Sequence, residues 1–370
     1  MITRHFIRNK TTDIPYNIIY YTSTDGNVVT PYKPDVFGAN IISNTYTNGQ
    51  GIIVFDGDVT SIGKSAFWDC TTLTSIIIPE SVTSIESYAF SECSSLTTIT
   101  IPNSITYIGK YAFQYCSSIT SITWNAENVT DFTYSDTAPF YPSRSLITKF
   151  VLGDKVQYIP AYLLSHMSNL TTITIPNSVT SIGHSTFRSC SALTSVTIGN
   201  SVTSIGDFAF CDCSALTSIV IPDSVTSIGG NAFSYCPSLT SVTIGSGVTS
   251  IGSNAFTDCS SLTSITIPDS VISIENATFL RCTSLTSVTI PNSVTSIGAR
   301  TFEYCSALTS ITIPSSVTSI GDEALYRCNV LQSITYEGTT EQWNNITKGE
   351  NWNFNVPATY VQCTDGTITL

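Results

Sequence analysis

The chain has 370 residues, 42% hydrophobic and only 11% charged, and carries a formal charge of −12 from 14 basic and 26 acidic side chains. This composition excludes wholesale disorder. The acidic balance excludes a nucleic-acid partner, which needs a basic face. Without a run of 18 apolar residues, no membrane insertion is expected either.

The opening "MITRHFIRNKTTDIPYNIIYY" is basic but has no continuous apolar stretch and no small-residue cleavage site, so no signal peptide is visible. Residues 1–50 read as an N-terminal cap. Within it, "NIIYYTSTDGNVVTPY" holds two strand-like runs around Asp25-Gly26, the signal of a β-hairpin.

Residues 51–335 are a repeat array. The leading apolar residues Leu73, Leu96, Ile119, Ile147, Leu170, Leu193, Leu216, Leu239, Leu262, Leu285, Leu308 and Leu331 recur every 23 residues, with one step of 28 between Ile119 and Ile147. A period of this size with an L-x-x-L-x-L core marks a leucine-rich repeat. In "LTSVTIGNSVTSIGDFAFCDCSA" (Leu193–Ala215), Val196 and Ile198 alternate with Ser195 and Thr197, predicting a strand with one apolar face. A second short extended piece turns Val202 and Ile205 inward, and Phe210 and Cys213 stand three apart, predicting a short helical turn. One coil cannot bury enough to order itself, so the coils must stack into a parallel sheet. The expected architecture is an α/β leucine-rich-repeat solenoid, a right-handed β-α superhelix of about twelve 23-residue coils. Residues 336–370 read as a C-terminal cap ending in a hairpin around Asp365-Gly366.

The pattern "LTSVTIPNSVTSIGARTFEYCSA" (Leu285–Ala307) resembles the BspA-like bacterial leucine-rich repeats. "YEGTTEQWNNI" (Tyr336–Ile346) is similar to the segment that often closes such arrays, and "YTSTDGNVVTPY" to segments that precede them. The resemblance implies a surface or secreted protein that attaches to proteins or glycans of a host matrix or of other cells. The missing signal peptide leaves the cytoplasm open, and no motif in this sequence marks binding residues that the family could lend it.

Ten of the twelve cysteines share one phase, from Cys70 to Cys328, beside the Phe and Leu core positions. Buried reduced thiols are the first reading. Disulfides between rungs about 5 Å apart are geometrically open. No pair has zinc-site spacing, so no metal or cofactor is expected. The histidines are His5, His166 and His184, and no catalytic motif occurs, so the chain is not expected to be an enzyme.

Two hydroxyl columns are the main candidate site: Ser195, Thr197, Ser218, Ser241, Thr243, Ser264, Thr266, Ser287 and Thr289, with Val220 interrupting one column. They either keep an uncharged sheet soluble, present an extended recognition surface, or form a flat ice-binding array. The longer step marks an irregular coil around 125–168, where Phe132, Tyr134, Phe140 and Tyr141 with Lys149 form a second candidate contact site, a loop on a rigid scaffold. The function these features support is a non-enzymatic interaction module. The alternatives are an intracellular scaffold and, more remotely, an ice-binding surface.

Overall fold

The computed structural model describes residues 15–141 and 143–370; His5 and Pro142 lie outside them. The chain winds into a β-solenoid of about thirteen coils with little helix. Each coil contributes a front strand such as Ser195–Thr197, a two-residue rear strand such as Ser204–Ile205, and a turn segment returning to the next front strand. Alternation decides the front strands: Ile219 and Ile221 point inward, while Ser218 and Val220 point out. Neighbouring strands come from successive coils and, where they pair, pair parallel with repeat positions in register, as in Ser218↔Ser241 and Ile219↔Val242.

The turn segments correct the expected helical turns. Among the described residues the only regular helices are a 3₁₀ turn at Ser143–Leu146 and α1 (Thr340–Asn345). Most coils instead place two non-glycine residues in the left-handed region, such as Phe208 (φ 56°) and Asp212 (φ 61°), or Asn254 (φ 59°) and Asp258 (φ 58°). Each reversal stops helix propagation, yet still leaves Phe210 and Cys213 three apart and facing inward. The phenylalanines form a ladder: from Phe187 to Phe302 successive rings lie 5.0–5.8 Å apart with planes within 10°.

At the N-terminal end, β1 (Ile18–Ser23) pairs antiparallel both with β3 (Gln50–Phe55) and with the first front strand, Leu73–Ile77. The hairpin expected around Asp25-Gly26 is not formed. The hairpin here joins β2 (Ile41–Thr47) to β3, with Asn48 (φ 52°) and Gly49 (φ 83°) at its turn. Two positive φ values in succession are the two-residue turn that Asn-Gly favours. At the other end, Tyr360–Gln362 and Thr367–Thr369 pair antiparallel across Asp365-Gly366.

The stack is not uniform. The front ladder from Thr172 to Thr289 is paired two strands at a time, and the second strand of each of these three pairs carries Val196, Val242 or Val288 where its partner carries isoleucine. The rear ladder runs unbroken from Tyr158–Ile159 to Ser250–Ile251 and restarts at Ser273–Ile274. At that junction two repeat positions change. Ile272, 64% exposed, replaces a threonine, and Glu275 replaces the glycine whose N–H bonds the preceding coil elsewhere (Gly252 to Ile228 O, 2.9 Å; Gly298 to Ile274 O, 2.7 Å). A Cβ on Gly252 would lie 2.5 Å from Gly230 N, which shows how closely the coils approach in this column. Glu86 sits in the same column with its ladder intact, so the Cβ alone does not open the gap.

Candidate functional site

The hydroxyl groups fall into two populations. Thr203, Thr226 and Thr249, beside the rear strands, each donate to the carbonyl of the residue one coil earlier at 3.0–3.1 Å. Thr194, Thr240 and Thr286 do the same at the head of the front strands, at 3.0–3.1 Å. Ser224, Ser293 and Ser316 donate to valine carbonyls at 2.6–2.7 Å. These hydroxyls splice one coil to the next.

The predicted columns are different. Ser195, Thr197, Ser218, Ser241, Thr243, Ser264, Thr266, Ser287 and Thr289 are all exposed on the front strands. Parallel register brings them into rows, Ser195 beside Thr172, Ser241 beside Ser218 and Thr289 beside Thr266. Among the described residues none of these nine side chains has an internal hydrogen-bond partner, so both donor and acceptor are free for a ligand or water. Val220, 63% exposed, puts an apolar spot in the middle of this polar field.

The irregular coil corrects the second candidate site. Phe132 and Phe140 are buried, 7% and 1% exposed. Phe140 stacks on Phe113 at 5.1 Å and so continues the core ladder across the insertion. Neither ring is open to a partner. Tyr134 is 64% exposed, while Tyr141 lies under the Arg144 guanidinium, 4.6 Å from its ring centre. Lys149 is exposed on the front strand Lys149–Leu152, beside Ser121, and so belongs to the hydroxyl face. The loop therefore supplies Tyr134 and Tyr141, and the strand supplies Lys149.

All twelve cysteines are free and buried. In the repeated phase the thiols donate to the carbonyl of the phenylalanine 26 residues earlier, as Cys213 to Phe187 O and Cys282 to Phe256 O, both at 3.2 Å; Cys190 uses Leu164 O and Cys70 uses Thr30 O instead. In the inserted coil the Ser143 hydroxyl takes that place and donates to Phe113 O. Burial pushes the Cys116, Cys190 and Cys328 thiols up to about 12, against an ordinary value of 9.0. A protonated, enclosed thiol is neither a nucleophile nor a metal ligand. Among the described residues no three His, Cys, Asp or Glu side chains converge on a point that could hold a metal ion.

A groove of about 570 Å³ runs along the rear ladder over Ser204, Ser227 and Ser250, with Gly206, Gly229 and Gly252 as its floor. It ends at Glu275, where the ladder is interrupted. On the turn face, Arg144, His166 and Arg188 come from three successive coils, a grouping the sequence reading passed over because they occupy different repeat positions across the insertion. Arg188 lies over the Phe208 ring at 5.6 Å, and His184 packs between Tyr162 and Phe208 at 5.3 and 5.5 Å.

Matches to the BspA type leucine rich repeat region span residues 39–138, 137–263 and 249–349, most of the chain. The protein belongs to the BspA-type leucine-rich-repeat family. A leucine-rich repeat protein from Bacteroides ovatus is 27% identical over 95% of this chain and 94% of its own, with a TM-score of 0.65. A leucine rich cell surface protein from Faecalibacterium prausnitzii is 29% identical over 83% of this chain and 89% of its own, with a TM-score of 0.36. No curated protein matches the sequence. This BspA-type chain has no helix among its described residues long and apolar enough to cross a membrane.

Proposed function

We propose that the protein is a non-enzymatic interaction module that engages proteins or glycans through the hydroxyl face of its front strands. The observation that carries this is the division of the threonine hydroxyls. Those beside the rear strands and at the heads of the front strands, such as Thr226 and Thr240, bond the preceding coil, whereas the front columns are exposed and bond nothing internally. A row of paired donor–acceptors on a rigid solenoid suits an extended partner. Family resemblance adds attachment to matrix or cell-surface components as the setting.

One observation favours the intracellular scaffold as a second reading: all twelve cysteines are buried, and thiols of the column such as Cys213 and Cys282 spend their S–H on carbonyls of the preceding coil, which suits thiols kept reduced. Protease treatment of intact against lysed cells separates the two settings, because a surface protein is cleaved in both.

The binding face itself is tested by surface plasmon resonance against immobilised matrix proteins and a glycan panel. Thr243→Lys and Thr266→Lys place charges in the middle of the front sheet. Both variants are expected to keep the wild-type melting temperature and to weaken the captured interaction about tenfold, since a cation on a contact surface must be desolvated. Unchanged binding in both variants would reject the front face.

A further inference from the structure

We propose that the turn face at the irregular coil is a second binding site, for a polysaccharide that carries carboxylates, built from Arg144, His166 and Arg188 with the Tyr162–His184–Phe208 ring run beside them. The site is separate from the front sheet and does not depend on it.

Charge is the first argument. In a chain of net charge −12, two arginines flank His166 on consecutive coils, both near enough to act on its imidazole. The Arg188 backbone carbonyl accepts from His166 N at 2.7 Å and from the Ser165 hydroxyl at 3.4 Å, which fixes one coil against the next. Burial, then Arg144, then Arg188 hold the His166 imidazole below its ordinary value, with Asp212 opposing them. Neither arginine has a carboxylate within ion-pair distance among the described residues. Arg144 spends one N–H on Ser135 O at 3.4 Å and stacks on Tyr141, and Arg188 stacks on Phe208. By contrast, Lys110, Arg281 and Arg300 face Asp136, Asp258 and Glu303. Two guanidinium forks left open on one face match carboxylate geometry. Asp212, which accepts from the Ser189 hydroxyl at 3.0 Å, closes one side of the site with negative charge.

Spacing selects the polymer. Tyr162, His184 and Phe208 are half-buried and recur at 5.3 and 5.5 Å, set by the coil repeat. This is close to the advance per residue of an extended polysaccharide and well above the roughly 3.3 Å of an extended peptide. Sugar rings can therefore meet successive aromatic groups while their carboxylates meet Arg144 and Arg188.

The test is calorimetric titration of the full chain with oligomers of hyaluronan, alginate and polysialic acid, with carboxyl-reduced hyaluronan and poly-L-glutamate as comparators. At least one acidic oligosaccharide is expected to bind, and its carboxyl-reduced form to bind at least tenfold more weakly. Arg188→Gln alters an exposed side chain and His166→Gln keeps a polar group. Each should weaken binding about tenfold at unchanged melting temperature. Thr243→Lys, on the front sheet, should leave the titration unchanged, so failure of either site is read separately. Three results would overturn the proposal: no binding to any acidic oligosaccharide, equal binding of the neutral form, or undiminished binding in both variants. Tighter binding of poly-L-glutamate would replace the polysaccharide with an acidic peptide.

Discussion

Cysteine fills a dual role in this array. It is small enough to pack beside the phenylalanine ladder, and its S–H adds a second donor to a carbonyl of the preceding coil that already accepts a backbone N–H, as Phe187 O does from Cys190 N and Cys213 Sγ. Ser143 in the same place shows that the position calls for a donor, while Met167, buried one coil later, fills the volume without one. The column itself was legible in the sequence from its fixed phase. Its acceptor was not, because nothing in the spacing shows that a carbonyl 26 residues back points inward. These thiols make stability depend on pH. In the folded protein they hold their protons up to about 12 for Cys116, Cys190 and Cys328, and higher than usual for the others. Unfolded thiols ionise near 9.0. Below pH 9 both states are protonated and stability is intact. Above it the unfolded state binds fewer protons, so stability falls as pH rises, by up to about 1.4 kcal/mol per pH unit for each thiol. Circular dichroism should therefore show unfolding between about pH 9 and 11. A Cys213→Ala/Cys259→Ala double variant should need a higher pH, and an identical midpoint would show that the thiols do not control it.

At the scale of elements, each coil is legible where side-chain alternation carries the information and opaque where backbone sign does. Front and rear strands follow from the in–out patterns of Ser218–Ile221 and Ser227–Ile228. The turn segments were read as helical because Phe210 and Cys213 are three apart. A turn with Phe208 and Asp212 in the left-handed region preserves that spacing and places outward the side chains that line the turn face. Such residues cost on the order of 1–2 kcal/mol each, and only stacking against neighbours on both sides sustains two per coil. The Asp25-Gly26 signal failed for a different reason: β1 finds better partners in β3 and Leu73–Ile77 than in the segment that follows it. The same logic identifies an interrupted junction inside the regular array, between the coils of Ser250–Ile251 and Ser273–Ile274. Restoring the repeat there with Ile272→Thr and Glu275→Gly should rejoin the rear ladder, slow amide exchange across residues 272–275 and add about 1–2 kcal/mol. Exchange as fast as in the wild type would mean that the gap has another cause.

Over the whole molecule, the array works as a splice and a display. Hydroxyls at the strand heads and beside the rear strands tie coil to coil, and those on the front strands stay exposed without an internal partner, the face proposed for recognition. The sequence could locate both sets but not separate them, since Thr226 and Thr243 sit in equally polar surroundings and differ only in whether a carbonyl of the previous coil lies within reach. The irregular coil was likewise visible as a 28-residue step. Which of its aromatics stay in the core was hidden, because an insertion erases the register that would assign Phe140 to the ladder. The division of labour among the hydroxyls is tested most directly by thermal unfolding of Thr226→Val beside Thr243→Val. Thr226 donates to Thr203 O at 3.1 Å, whereas Thr243 is exposed without an internal partner. Thr226→Val should lose about 1 kcal/mol and Thr243→Val no more than a few tenths. Equal losses, or a larger loss at Thr243, would contradict the assignment of the front hydroxyls to recognition.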